Sequence, residues 1–85
     1  MSEISRFLGI VIAMFYRDHG PAHFHARYGE YKASVDFSGD VVVGWLPQRA
    51  LRFVEEWARV HAEELQANWN RARDKQALLP IEPLA

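Results

Sequence analysis

Between Ala22 and Tyr28 the chain alternates, with Phe24, Ala26 and Tyr28 on one side and His23, His25 and Arg27 on the other. A period of two marks a strand with one buried and one polar face. Gly29-Glu30 follows as a two-residue hairpin loop with glycine first, the type II′ preference, and Tyr31 to Asp36 alternates again. This turn predicts a register. Tyr28 faces Tyr31, Ala26 faces Ala33 and Phe24 faces Val35 on the apolar side. Arg27 meets Lys32, His25 meets Ser34 and His23 meets Asp36 on the polar side, with partner Cβ atoms about 5 Å apart. Ser38-Gly39-Asp40 predicts a second, three-residue hairpin loop that pairs Phe37 with Val41, Val35 with Val43 and Ala33 with Trp45.

Upstream, Ile4 to Tyr16 reads as a leading segment and then a strand over Ile10-Val11-Ile12-Ala13-Met14-Phe15-Tyr16. That run is apolar on both sides, as in a strand covered on both faces, although a short buried helix has the same signature. Gly9 before it suits a bulge or a close approach. Arg17 to Pro21 is a connection punctuated by Gly20-Pro21.

Downstream the period changes. Pro47 suits a first helical turn, and neither glycine nor proline interrupts the residues from there to about Arg73. Leu51, Val54, Ala58, His61, Leu65, Asn68 and Ala72 recur at three- and four-residue steps, widened by Phe53, Trp57, Val60 and Trp69. The other side offers ion pairs Glu55–Arg59 and Arg59–Glu63, and Arg52 with Glu56, each worth a few tenths of a kcal/mol. Such a helix is about 40 Å long and overhangs a small body. The tail at 76–85 is apolar and twice broken by proline, so it is expected to fold back onto the body or to dock on another protomer.

Length and composition narrow the class. Eighty-five residues allow one domain over 1–85. Hydrophobic residues make up 49%, with three Trp, three Tyr and five Phe, enough for a core and against disorder. The absence of cysteine removes disulfides and thiolate metal sites. Residues 1–46 carry four basic and five acidic groups and the remainder six of each. No broad positive surplus is present to drive binding to a phosphate backbone, which disfavours non-specific nucleic-acid binding without excluding a local patch. The longest apolar run, Ile10 to Phe15, is too short to span a bilayer, and a cytoplasmic location is expected.

The chemistry concentrates in Asp18-His19-Gly20-Pro21-Ala22-His23-Phe24-His25. Imidazole is the commonest metal ligand and titrates near neutral pH. Two histidines one residue apart on a strand point the same way. His19, His23 and His25 are therefore candidate ligands, with Asp36 or Asp18 as the carboxylate, for zinc or ferrous iron. A metal-free alternative uses His23, His25 and Asp36 as acid and base, with Arg27 and Lys32 stabilising a phosphorane. A structural alternative has His19 and His23 holding the turn through backbone hydrogen bonds and His25 half exposed on a sheet. His61 is expected as a core histidine unless the helix covers the polar face. Arg49 and Arg52, in early turns where the helix dipole prefers negative charge, mark an anion or partner patch. Trp69, Leu79 and Ile81 are candidate partner contacts.

Several strings together resemble a known family: Ile4-Ser5-Arg6-Phe7 with Gly9-Ile10-Val11-Ile12, Asp18 to Ala26, Leu46-Pro47 with Arg49-Ala50-Leu51, Glu56-Trp57, and Ile81-Glu82-Pro83-Leu84. The chain is similar to short bacterial proteins that share an Asp-His-x-Pro-x-His-Phe-His signature and are catalogued as a domain of unknown function. The resemblance implies a product of a two-gene cassette of toxin–antitoxin type and carries over no catalytic residues. The family's usual two prolines after His19 are replaced here by Gly20-Pro21-Ala22.

The expected fold is α+β: a small antiparallel sheet of three to four strands in hairpin order, within 7–46, covered by one long helix at about 47–73 and an extended tail. The expected function is a binding and regulatory module acting through a protein partner from a neighbouring gene, with a homo-oligomer also open. The rival is a small metal-dependent or acid–base hydrolase or nuclease centred on the histidines.

Overall fold

The computed structural model describes residues 2–16 and 18–85. Met1 and Arg17, the latter at the start of the first connection, lie outside the described residues. Five strands run in chain order through one antiparallel sheet: β1 (Ser2–Phe7), β2 (Ile10–Met14), β3 (His23–Tyr28), β4 (Tyr31–Asp36) and β5 (Val41–Gly44). Two helices follow, α1 (Gln48–Val60) and α2 (Ala62–Arg73). The class is α+β, but with five strands instead of three or four and two helices instead of one.

The register of β3 on β4 is the one the Gly29–Glu30 turn predicts, from His23 opposite Asp36 to Tyr28 opposite Tyr31. It places Phe24, Ala26, Ala33 and Val35 on the inner face, all buried. On β2 the inner positions are Ile10, Ile12 and Met14. Trp57 of α1 is the centre of this core, fully buried, with its ring 5.5 Å from Phe7 and 5.6 Å from Phe24.

The extra strand is β1. Its alternation is broken by a bulge between Glu3 and Ser5, so Ile4 and Ser5 are both buried and the period-two signal is lost. Leu8 and Gly9 turn β1 into β2 with φ of 50° and 80°. Two consecutive left-handed residues are the signature of a type I′ hairpin, where Asn-Gly is favoured.

The second hairpin is offset from expectation. Phe37, Ser38 and Gly39 form the loop, and Asp36 N–H donates to Asp40 O at 2.9 Å. The shift is fixed by the Asp36 side chain, whose Oδ1 accepts from Ser38 N–H, Ser38 O–H and Asp40 N–H at 3.0, 2.7 and 3.0 Å. Val35 then meets Val41, Ser34 meets Val43 and Ala33 meets Gly44 across an irregularity. Gly44 lies against β4 so closely that a Cβ there would sit 2.3 Å from Lys32 O. Trp45, expected opposite Ala33, is instead 60% exposed and lies against Tyr31.

The expected single helix breaks at His61, with φ −111° and ψ 24°. Hydrogen bonds still bridge the break, from His61 N to Trp57 O and from Leu65 N to His61 O. Trp57 and Ala58 of α1, and Leu65 and Trp69 of α2, share one core. No overhang results, since the molecule measures 34 Å in its longest direction. The surface pairs Glu55–Arg59, Arg59–Glu63 and Arg52–Glu56 do not form among the described residues, consistent with the small worth of exposed ion pairs.

The tail folds back onto its own chain. Buried Asn68 donates to Leu79 O at 2.8 Å and accepts from Leu79 N–H at 3.0 Å. Trp57 Nε1–H donates to Glu82 O at 2.9 Å, and Ile81 N–H to Ile4 O at 2.8 Å. Ile81 and Trp69 are thereby buried inside the chain, while Leu79, Arg49 and Arg52 remain on the surface. Among the described residues, no helix is long and apolar enough to cross a membrane.

Leu8 is an exposed residue in a conformation that costs a non-glycine side chain about 1–2 kcal/mol. Replacing it with asparagine (Leu8→Asn) is expected to stabilise the protein by about 1 kcal/mol, a rise of roughly 4–8 °C in Tm for a domain of this size. Thermal unfolding followed by circular dichroism measures it.

Candidate metal centre

Because Phe24 must point into the core, His23 and His25 emerge together on the opposite face of β3. The connection from β2 brings Asp18 back over them. Its Oδ2 lies 2.7 Å from His25 Nε2 and 3.1 Å from His23 Nε2. One atom from each of Asp18, His23 and His25 falls within 4.8 Å of the other two. The side chains are 25%, 15% and 28% exposed, respectively.

The outer ring nitrogens are held as well. His23 Nδ1 donates to Pro21 O at 2.8 Å, since a carbonyl can only accept. Ser34 Oγ sits 3.4 Å from His25 Nδ1, a long contact from the partner that the register assigns. Aromatic rings close the sides: Trp69 of α2 lies 5.3 Å from His23, and Phe15 lies 4.2 Å from His25.

The hydrogen-bond roles do not balance around neutral side chains. His25 can donate Nε2–H to Asp18 while Ser34 donates to its Nδ1. His23 has committed its proton to Pro21 O, so a neutral His23 presents the Nε2 lone pair to a carboxylate oxygen at 3.1 Å. Two acceptors then face each other, which is repulsive. A proton on Asp18, a second proton on His23 or a cation between the groups resolves it.

A cation fits the donor set. Two imidazole nitrogens and one carboxylate leave open positions on zinc and match the facial set of non-haem ferrous iron. Ligand atoms about 2.0–2.1 Å from a tetrahedral ion are about 3.3 Å from each other. The Asp18 contacts, at 2.7 and 3.1 Å, are somewhat shorter than that spacing. Pro21 O and Ser34 Oγ stand where ligating imidazoles place their other N–H.

Not all the sequence candidates converge. His19 is exposed and makes no hydrogen bond or ion pair among the described residues. Asp36 faces His23 in register, but its carboxylate is committed to the β4–β5 turn. That hydrogen bonding, led by Ser38, holds its pKa below the ordinary 3.8. His61 stays with the helices, its Nδ1 2.6 Å from Glu64 Oε1. Arg49 lies over the Phe53 ring at 5.8 Å, away from the histidines.

Residues 9–70 match the family model of DUF4160, described as a domain of unknown function. The chain belongs to the DUF4160 family. The matched span contains Asp18, His23 and His25 and every strand but β1. No curated protein and no solved structure matches the chain.

One feature of this DUF4160 chain was missed in the strand pattern. β2, expected to be covered on both sides, is buried or half-buried throughout, with Ala13 only 3% exposed, yet both helices pack on the inner face. The outer face holds a cavity of about 370 Å³ lined by Val11, Ala13, Phe15, His25, Arg27, Lys32, Ser34 and Val43, among others. The readable signal was the polar side of the β3–β4 hairpin, which an apolar cover would not tolerate.

The depressed pKa of Asp36 gives a signed expectation. Its stabilisation is full above the ordinary aspartate range and is lost as pH falls through the lowered native value. Asp36→Asn is expected to cost about 1 kcal/mol at pH 7, with the gap from the parent narrowing towards about pH 2. Urea midpoints across that range measure it.

Proposed function

We propose that this DUF4160 protein is a small metal-dependent hydrolase whose ion, zinc or ferrous iron, is held by Asp18, His23 and His25. The observation that carries this reading is the unbalanced contact between His23 Nε2 and Asp18 Oδ2 at 3.1 Å, beside a His25 that converges on the same oxygen. A bound ion would act as a Lewis acid and lower the pKa of a coordinated water. The chain's own residues hold and orient it: Pro21 O and Ser34 fix the imidazoles, and Trp69 and Phe15 limit solvent access.

A second reading, a regulatory module in a toxin–antitoxin-like pair acting through a protein partner, is supported by the uncovered outer face and the bare β5 edge. Val42 and Val43 stand exposed there, and Trp45 follows them. In that case co-expression with the neighbouring gene product yields a complex that survives loss of the metal ligands.

Elemental mass spectrometry of purified, untagged protein separates the two. The metal reading expects close to one zinc or iron per chain, absent from Asp18→Asn and His25→Ala variants that remain folded. It also expects zinc-dependent hydrolysis that disappears in both variants. Metal-free protein with no change in Tm on adding zinc or ferrous iron would overturn it.

A further inference from the structure

Rungs of the sheet order the outer face. One rung places Val11 beside Arg27 and Lys32, and the next places Ala13 beside His25, Ser34 and Val43. Arg27 and Lys32 are like charges directly opposite on neighbouring strands, an arrangement that destabilises a sheet. Neither forms an ion pair among the described residues. Glu3, on the β1 edge, is engaged by Arg6 at 2.7 and 3.1 Å, and Arg27 is the weakest of the influences on its carboxyl. The register thus sets two cationic side chains opposite each other, and an anion between them would offset their repulsion.

The cavity they line is about 370 Å³, within the range of small-molecule sites. Its remaining walls are largely apolar, with Val43 66% exposed. A phosphate backbone would find no use for that hydrocarbon, and a wholly apolar ligand none for the cations. We propose that the outer face binds a small organic anion. Its carboxylate or phosphate head sits between Arg27 and Lys32, and its apolar body lies over Val11, Ala13, Phe15 and Val43. Successive rungs on one face are two residues apart, about 7 Å along the strand. A chain of about six carbons therefore extends from the cations to His25. That this ligand is the substrate rests on the metal reading; that it binds does not.

Calorimetric and NMR titrations of metal-free protein with hexanoate, hexyl phosphate and neutral hexanol test the proposal. At least one of the two anions is expected to bind roughly tenfold or more tightly than hexanol, shifting the amides of β2 to β5, and their order identifies the head group. The double variant R27Q/K32Q is expected to lose roughly tenfold in affinity, and Val43→Asp to lose binding. Lys32→Glu is expected to lose binding while Tm holds or rises, which separates recognition from folding. Equal binding of hexanol, unchanged affinity in R27Q/K32Q, shifts centred on Arg49 and Arg52, or no binding by either anion would each overturn the proposal. Anion binding in a protein that takes up no metal would sustain it and defeat the metal reading.

Discussion

The burial of Phe24 is the constraint on which the arrangement depends. Its side chain is fully buried against Trp57 and Phe37, and losing such a contact from a packed core costs about 3–5 kcal/mol. Because side chains alternate along a strand, that burial leaves His23 and His25 no choice but the opposite face. The Gly29–Glu30 turn transmits the same parity to β4, setting Ser34 opposite His25 and Lys32 opposite Arg27. Core packing on one side of two strands thereby composes the polar surface on the other.

Polar groups across the molecule differ in how they are satisfied. Asn68 and Asp36 have firm partners: Asn68 clamps Leu79 through both backbone groups, and Asp36 closes its own turn with three short bonds. These residues hold structure. On the outer face the balance is left open twice, once where His23 faces Asp18 and once where Arg27 faces Lys32. Natural sequences depart from local consistency mainly at functional sites. An external charge would balance each, a cation in the first and an anion in the second. They lie on one side of one sheet, with His25 shared by the metal set and the cavity wall.

Legibility in the sequence followed the strength of local signals. The β3–β4 register was readable residue by residue because a short turn with glycine at its first position ties loop length to pairing. The next loop lies one residue earlier than expected, shifting the adjoining pairs by two residues and those beyond the irregularity by one, since the side-chain bonds of Asp36 outweighed loop composition. β1 was hidden by a bulge that turns Ile4 and Ser5 the same way, and the helix break at His61 carries neither glycine nor proline. In the site, His23 and His25 were readable from spacing, whereas the choice between Asp18 and Asp36 depended on how a connection folds back. The open outer face was obscured because Val11, Ala13 and Phe15 read as core on both sides of β2.

The most direct measurement of the central claim is the nitrogen-15 chemistry of the histidine rings, recorded by long-range proton–nitrogen correlation during a zinc titration. The account predicts that His23 carries a proton on Nδ1 before zinc is added. Nε2 of both His23 and His25 should then move together to metal-bound shifts at one equivalent, with each remaining proton on Nδ1. Rings that stay unchanged as zinc is added, or a response confined to His19 and His61, would contradict it.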